Sequence, residues 1–298
     1  MNYKPLGKSN LKISEISFGC MSLGIDHQEN SNLLHHALDN GINYFDTADI
    51  YQKGFNEVTV GKAFADRRDK VIIATKVGNV WKSDGSGLDW NPTKVHIFKS
   101  IDESLQRLQT DYIDLYQLHG GTINDPIDET IEAFEQLKTK GKIRHYGISS
   151  IRPNVIREYV KRSNIISVMM QYSLLDRRPE ETCLNLLYEQ NIGVLTRGSL
   201  ASGLLVNKPA KPYLNYSEQE VMEAARVVKR IAGGKRLISE VALRFVLNHP
   251  SVTSAVVGMH TFEQLDDSLR VVKSQSLSPE EYGLLQDAIK LNTYAEHR

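Results

Sequence analysis

Asp46, Tyr51, Lys76 and His119 bring together a carboxylate, a phenol, an amine and an imidazole, and each sits at or just past the end of an apolar run that reads as a β-strand. The runs are Ile42–Phe45 before Asp46, Val71–Thr75 before Lys76 and Ile113–Leu118 before His119. If those strands are parallel neighbours, their carboxyl ends gather the four groups on one rim. A tyrosine with an ordinary pKa of about 10 is a poor acid at neutral pH. A lysine ammonium beside it stabilises the phenolate, and an aspartate paired with the lysine keeps the amine charged and fixed. A histidine donating to the same substrate oxygen orients it and offsets the charge developing there. The set suits protonation of a carbonyl oxygen as hydride reaches the carbon; no side chain is a hydride donor, so the chemistry calls for a nicotinamide. Taken singly, each residue has an ordinary reading: Asp46 as a helix cap or turn residue, Tyr51 as a half-buried aromatic, Lys76 as a solvated strand end, His119 as a satisfied core histidine. Their joint placement on one rim favours the catalytic reading.

The elements that must position them alternate between strand-like and helix-like patterns, which argues for a parallel sheet. Eight strands are expected, at Ile16–Gly19, Asn43–Asp46, Val71–Lys76, Ile113–His119, His145–Ser149, Ser167–Gln171, Gly193–Arg197 and Ser254–Gly258. Amphipathic stretches at 29–38, 94–108, 128–138 and 181–190 lie between them, with Gly41, Gly141 and Gly193 in the turns that end helices. Eight such units in about 270 residues match a (β/α)8 TIM barrel. A β-hairpin turning near Gly7–Asn10 precedes the barrel, and an extra C-terminal helix at Ser278–Leu291 follows it. No linker divides the chain, so residues 1–298 are expected to form a single barrel domain. Two long loops, Gly78–Asn91 and Ala201–Tyr216, fall on the carboxyl-end rim, where Trp81, Trp90 and Tyr213 either line an apolar mouth or pin their loops to the barrel.

Lys+Arg and Asp+Glu are both 36, which gives no long-range reason to expect nucleic acid or an anionic membrane as partner. With 41% hydrophobic and 24% charged residues, a small-molecule partner is the default for so ordinary a globular composition. The two cysteines, Cys20 and Cys183, are too few for a disulfide framework, and no metal-type spacing exists. A reducing cytoplasm fits that pattern, and neither a signal-type segment nor a membrane-length apolar run is present. Other site types test poorly. Gly85-Ser86-Gly87 lacks the third glycine of a dinucleotide fingerprint, and the stretch from Gly54 to Gly61-Lys62 has the wrong spacing for a phosphate-binding P-loop. His35 and His36 diverge on a helix, so they make no metal pair.

The stretch Gly41-Ile42-Asn43-Tyr44-Phe45-Asp46-Thr47-Ala48-Asp49-Ile50-Tyr51 resembles the first signature of the aldo-keto reductases. The resemblance continues through Ile73-Ala74-Thr75-Lys76, Asp111 to His119, Gly141 to Ser149, Gln171 to Leu175, Glu240 to Leu247 and Val256-Val257-Gly258, in order and over nearly the whole chain. It implies a (β/α)8 barrel in which Tyr51 is the general acid, Lys76 and Asp46 tune it, and His119 orients the substrate carbonyl. It also implies an extended cofactor, NADPH with NADH as the alternative. Family positions that hold the carboxamide are usually Ser, Asn and Gln; here they read Ser149, Ser150 and Met169, so two of three depart, and a thioether barely hydrogen-bonds. Gly19, Cys20, Met21, Asp46 and Gln171 fall on the nicotinamide side, with Cys20 read as a small packing residue rather than a nucleophile. Arg197 stands where an aromatic residue often stacks on the nicotinamide; its other reading is an ion pair with a rim carboxylate. Gly198, Ser199, Leu200 and Ser202 match the loop that covers the pyrophosphate, with an ordinary Gly/Ser loop as the plainer reading. Gly258, His260, Gln264, Asp267 and Ser268 occupy the adenosine stretch, which lacks the usual Lys or Arg against the 2′-phosphate; His260 and Thr261, at a helix start, are expected to substitute.

The expectation is therefore a monomeric or weakly oligomeric reductase of a small carbonyl substrate, with no nucleic-acid, membrane or metal partner. Two rivals stand against it. One is an NADP(H)-sensing barrel that resembles the β subunits of potassium channels and turns over slowly. The other is a barrel hydrolase using paired carboxylates, for which Asp49 is the one candidate beside Asp46.

Overall fold

Eight parallel strands close on themselves in the computed structural model, which describes residues 1–298. In chain order the strands are β1 (Tyr3–Pro5), β2 (Lys12–Ser14), β3 (Ile16–Gly19), β4 (Tyr44–Asp46), β5 (Ile72–Val77), β6 (Asn79–Trp81), β7 (Leu88–Trp90), β8 (Ile113–Leu118), β9 (Ile143–Ser149), β10 (Ser167–Gln171), β11 (Gly193–Arg197) and β12 (Val252–Gly258). The helices are α1 (His27–Asp39), α2 (Phe55–Phe64), α3 (Lys94–Leu108), α4 (Ile127–Thr139), α5 (Pro153–Arg162), α6 (Cys183–Glu189), α7 (Glu218–Ala232), α8 (Ile238–Leu247), α9 (Phe262–Lys273) and α10 (Pro279–Asp287). The barrel runs β3-β4-β5-β8-β9-β10-β11-β12 and back to β3, all pairs parallel. This is the expected (β/α)8 fold. The expected hairpin is β1 paired antiparallel with β2, and the extra C-terminal helix is α10, started by a reciprocal Ser278–Glu281 capping box.

Two expectations change. The 78–91 loop contains an antiparallel hairpin of its own, β6 with β7, in register Asn79↔Trp90 and Trp81↔Leu88. Three-residue strands carry too little alternation to be seen in sequence. Gly193 is not a helix-ending turn residue but the first residue of β11, and the left-handed position before it belongs to Asn191, with φ 50°. A side chain at Gly193 would put its Cβ 2.7 Å from Leu6 Cδ1 and 2.8 Å from Thr253 Oγ1. Glycine is there to let the hairpin approach the barrel floor.

The apolar residues divide into two layers by strand parity. Outward-facing positions such as Phe18, Phe45, Ile73, Tyr116 and Ile148 join the helices in one large buried cluster. Inward-facing Tyr44, Ala74, Leu115, Met169, Leu195 and Val256 form a second cluster inside the barrel, plugged at its amino-end by Leu6, Leu11 and Ile13 from the hairpin. Because side chains alternate along a strand, the inward residue two places further on points to the carboxyl-end mouth. Those next residues are Asp46, Lys76, Gln117, Gln171, Arg197 and Gly258.

Candidate active site

Asp46, Lys76 and Gln117 thus form the top layer of the barrel interior. Lys76 is fully buried, and its Nζ donates to Asp46 Oδ1 at 2.5 Å, to Thr47 O at 2.7 Å and to Tyr51 Oη at 3.4 Å. Three acceptors saturate the three donors of an ammonium. Burial works against the charge on Lys76, but Asp46 and Tyr51 outweigh it and hold the amine above its ordinary pKa. Burial pushes the Asp46 carboxyl up, while Lys76 and the Gln117 amide, donating to Oδ2 at 3.1 Å, pull it back towards the ionised form. The saturated ammonium fixes the pair as ionic.

Tyr51 reaches this layer from a turn after β4. Gln52, Lys53 and Gly54 take left-handed φ values of 50°, 56° and 89° in succession. Two non-glycine residues in that region are strained and need outside support. Gln52 Nε2 supplies part of it by donating to Leu23 O at 2.7 Å. At Gly54 a Cβ would lie 2.9 Å from Arg107 Cδ, so only glycine fits. His119, just past β8, sets its ring edge-on to Tyr51, with centroids 6.0 Å apart. Burial first, then the charges of Lys76 and Arg197, depress its pKa to about 3, so the ring is neutral throughout the physiological range. Its Nδ1 is buried without a hydrogen-bond partner.

The four groups open onto a cavity of about 640 Å³. A second cavity of about 630 Å³ adjoins it. Met21, Ser22, Gly198, Ser202, Val256 and Gly258 line both, so the two join into one trough across the rim. Gly19, Met21, Ser149, Ser150, Met169, Gln171 and Arg197 face the first cavity. Ser199, Leu200, His260, Gln264, Asp267 and Ser268 face the second. Cys20 does not face either. It shares the outward parity of Ile16 and Phe18, is fully buried in the outer core, and its thiol is pushed up by that burial. Met169 lines the cavity with Val256, backed by Leu195 in the inner cluster, an apolar surface where an amide was the family pattern. Arg197 makes no ion pair; its Nη1 donates to Gln171 Oε1 at 3.2 Å, while the Gln171 amide donates to Asp176 and Tyr213. Tyr213 lines the cavity, whereas Trp81 and Trp90 pin their hairpin through Ile50 O and Asp125 Oδ2.

Residues 15–290 match the Aldo/keto reductase family. The chain belongs to this family. It is 48% identical, over the full length of both chains, to the uncharacterized oxidoreductase YqkF of Bacillus subtilis. The aldo-keto reductase AKR11C1 from Bacillus halodurans, in its holo form, superposes with a TM-score of 0.94 at 48% identity, covering 100% of this chain and 99% of that one. A probable voltage-gated potassium channel subunit beta of Arabidopsis thaliana is more distant, 29% identical over 91% of each chain. The assignment makes this protein an oxidoreductase, and no helix is long and apolar enough to cross a membrane.

In this aldo/keto reductase three residues of the site escaped sequence reasoning: Gln117 beneath the trough, and Arg152 and Lys208 on its walls. Gln117 was readable, because an amide at an inward position two residues after Leu115 in an apolar strand is out of place. Arg152 and Lys208 were not; each sits in a connection whose course only the fold decides.

The paired-carboxylate reading fails in the same geometry, since Asp46 is the one acidic residue lining the first cavity. Asp49 instead lies behind the rim near Glu57, which is tied to Thr75 and Arg107, and Asp49 Oδ1 has no partner. Burial, then the Glu57 charge, raises its pKa to about 8. The folded protein therefore keeps a proton that the unfolded chain releases near pH 4, so Asp49 lowers stability progressively from about pH 4 to pH 8. Asp49→Asn is expected to raise stability most at pH 8, by on the order of a few kcal/mol and with a matching rise in melting temperature, and to leave it unchanged near pH 4. Parallel melting curves for the two proteins across that range would refute the assignment.

Proposed function

We propose that this chain reduces aldehydes or ketones to alcohols with hydride from NADPH, acting as a monomer or weak oligomer. The observation that carries the reading is the fixed run of contacts Asp46–Lys76–Tyr51 opening onto the trough beside a neutral His119. The bound nicotinamide supplies the hydride. A substrate carbonyl oxygen accepts hydrogen bonds from Tyr51 Oη and from the His119 ring. As negative charge builds on that oxygen, Tyr51 hands over its proton, and the phenolate left behind faces the Lys76 ammonium. Lys76 cannot follow the charge away, because Asp46 and Thr47 hold it. His119, charging only near pH 3, orients the oxygen and does not protonate it.

NADPH is favoured by Lys208. Its side chain lies over Gly203, is exposed, and lines the second cavity with His260 at the start of α9. An unpaired ammonium on a cavity that a helix start also lines suits a phosphate. Calorimetric titration is expected to give NADPH a dissociation constant at least about tenfold below that of NADH, and Lys208→Ala should remove most of the difference. Equal affinities would sink the NADPH assignment. A carbonyl panel run with the tighter cofactor then separates a reductase from a cofactor-sensing barrel, which would transfer hydride once and turn over slowly.

A further inference from the structure

The trough crosses the barrel mouth asymmetrically, and that asymmetry says something about the substrate. The residues common to both cavities belong to β12 and to the segments after β3 and β11. In the closed ring those strands adjoin one another, and β5, β8 and β9 stand opposite. If the cofactor follows the shared residues, as the proposed function requires, the substrate end of the first cavity is walled by the segments after β5, β8 and β9. Asn79, Gly120, Ile151 and Arg152 are among the lining residues there, and none of them reaches the second cavity.

Arg152 is the charged member of that wall. It is half-buried, caps the start of α5, and its Nη1 donates to Gly121 O, two residues beyond His119. The tether fixes the guanidinium and leaves its remaining donors without a carboxylate: Arg152 takes part in no ion pair of the chain. The charges lining the first cavity are Asp46, Lys76, Arg152 and Arg197, and the first two cancel as a pair. Arg197 precedes Gly198, which lines both cavities, and so stands on the cofactor side. A fixed, partly desolvated guanidinium with no counter-charge is a planar fork for a carboxylate.

We infer that the substrate is a carbonyl compound carrying a carboxylate, which Arg152 binds while the carbonyl faces Tyr51 and His119. Two residues of chain separate His119 from Gly121, a reach of at most about 7 Å. That span admits a substrate whose carboxylate lies several bonds from the carbonyl, as in a short semialdehyde acid or a carboxylated aromatic aldehyde. Hydride adds to the carbonyl carbon and the Tyr51 proton to its oxygen, giving the hydroxy acid with the carboxylate unchanged.

The test compares 4-carboxybenzaldehyde with its methyl ester, methyl 4-formylbenzoate, which keeps the shape and removes the charge. In the wild-type protein kcat/KM for the acid is expected to exceed that for the ester by about tenfold or more, chiefly through KM, with the ratio falling as salt is raised. Arg152→Gln should bring the ratio near unity, Arg152→Lys should restore part of it, and calorimetry with 4-(hydroxymethyl)benzoate should show the same order of affinities. A wild-type ratio near one, which needs no variant to fold, overturns the inference. So does a ratio that survives Arg152→Gln. Equal reduction of both compounds leaves carbonyl reduction standing, whereas failure to reduce either one with NADPH or NADH overturns the functional reading and this inference with it.

Discussion

Tyr51→Phe is expected to lower kcat for carbonyl reduction by about 10²–10⁴-fold, the range of a lost general acid, while the dissociation constant for NADPH stays within about twofold of the wild type. The phenol is the one group at the cavity that combines an acidic proton with a charged neighbour held against it, Lys76 Nζ at 3.4 Å. His119 cannot replace it, since with a pKa of about 3 its ring is neutral at neutral pH, and the one N–H it keeps can donate a hydrogen bond but is far too weak an acid to hand over. The substitution removes a single long contact from a half-buried ring, so the fold has little to lose. Single-turnover hydride transfer measured beside the steady state would show whether the loss falls on the chemical step. Reduction at an unchanged rate would remove Tyr51 from the mechanism.

Lys76→Met is expected to be as damaging to turnover and far more damaging to stability. It leaves the Asp46 carboxylate buried with only the Gln117 amide for support, and an uncompensated buried charge costs about 3–5 kcal/mol. The stability loss and the catalytic loss have different causes, and a second variant separates them. In Lys76→Met combined with Asp46→Asn no buried charge remains, so the melting temperature should recover most of the way. Turnover should not recover, because the ammonium that meets the Tyr51 phenolate is still missing. Recovery of both by the double variant would show that Lys76 acts only as a structural partner of Asp46.

Strand parity explains why the site was so largely legible. A residue's side of the sheet depends only on whether its position is odd or even relative to its neighbours, so Tyr44 places Asp46, Ala74 places Lys76 and Leu195 places Arg197. The same rule, applied to Ile16 and Phe18, turns Cys20 away from the cavity and into the outer core, whereas its place just after β3 alone put it on the nicotinamide side as a packing residue. Gly193 was misread for a related reason. Glycine after a helix usually ends it, but here the left-handed turn is taken by Asn191 and the glycine makes room for Leu6, a contact across 187 positions that no local pattern encodes.

By itself the sequence determined the eight-fold alternation, the barrel and the identity of the groups at its carboxyl-end mouth, because hydrophobic period and residue type are local properties of the chain. Only the tertiary structure decided the electrostatics. The depressed pKa of His119, the proton held by Asp49, the ammonium state of Lys76 and the lone guanidinium of Arg152 all depend on how much water is excluded and which charges remain nearby. Lys208 and His260 line the same cavity although 52 positions separate them in sequence. Closure of the barrel, which brings distant loops to one rim, sets that arrangement.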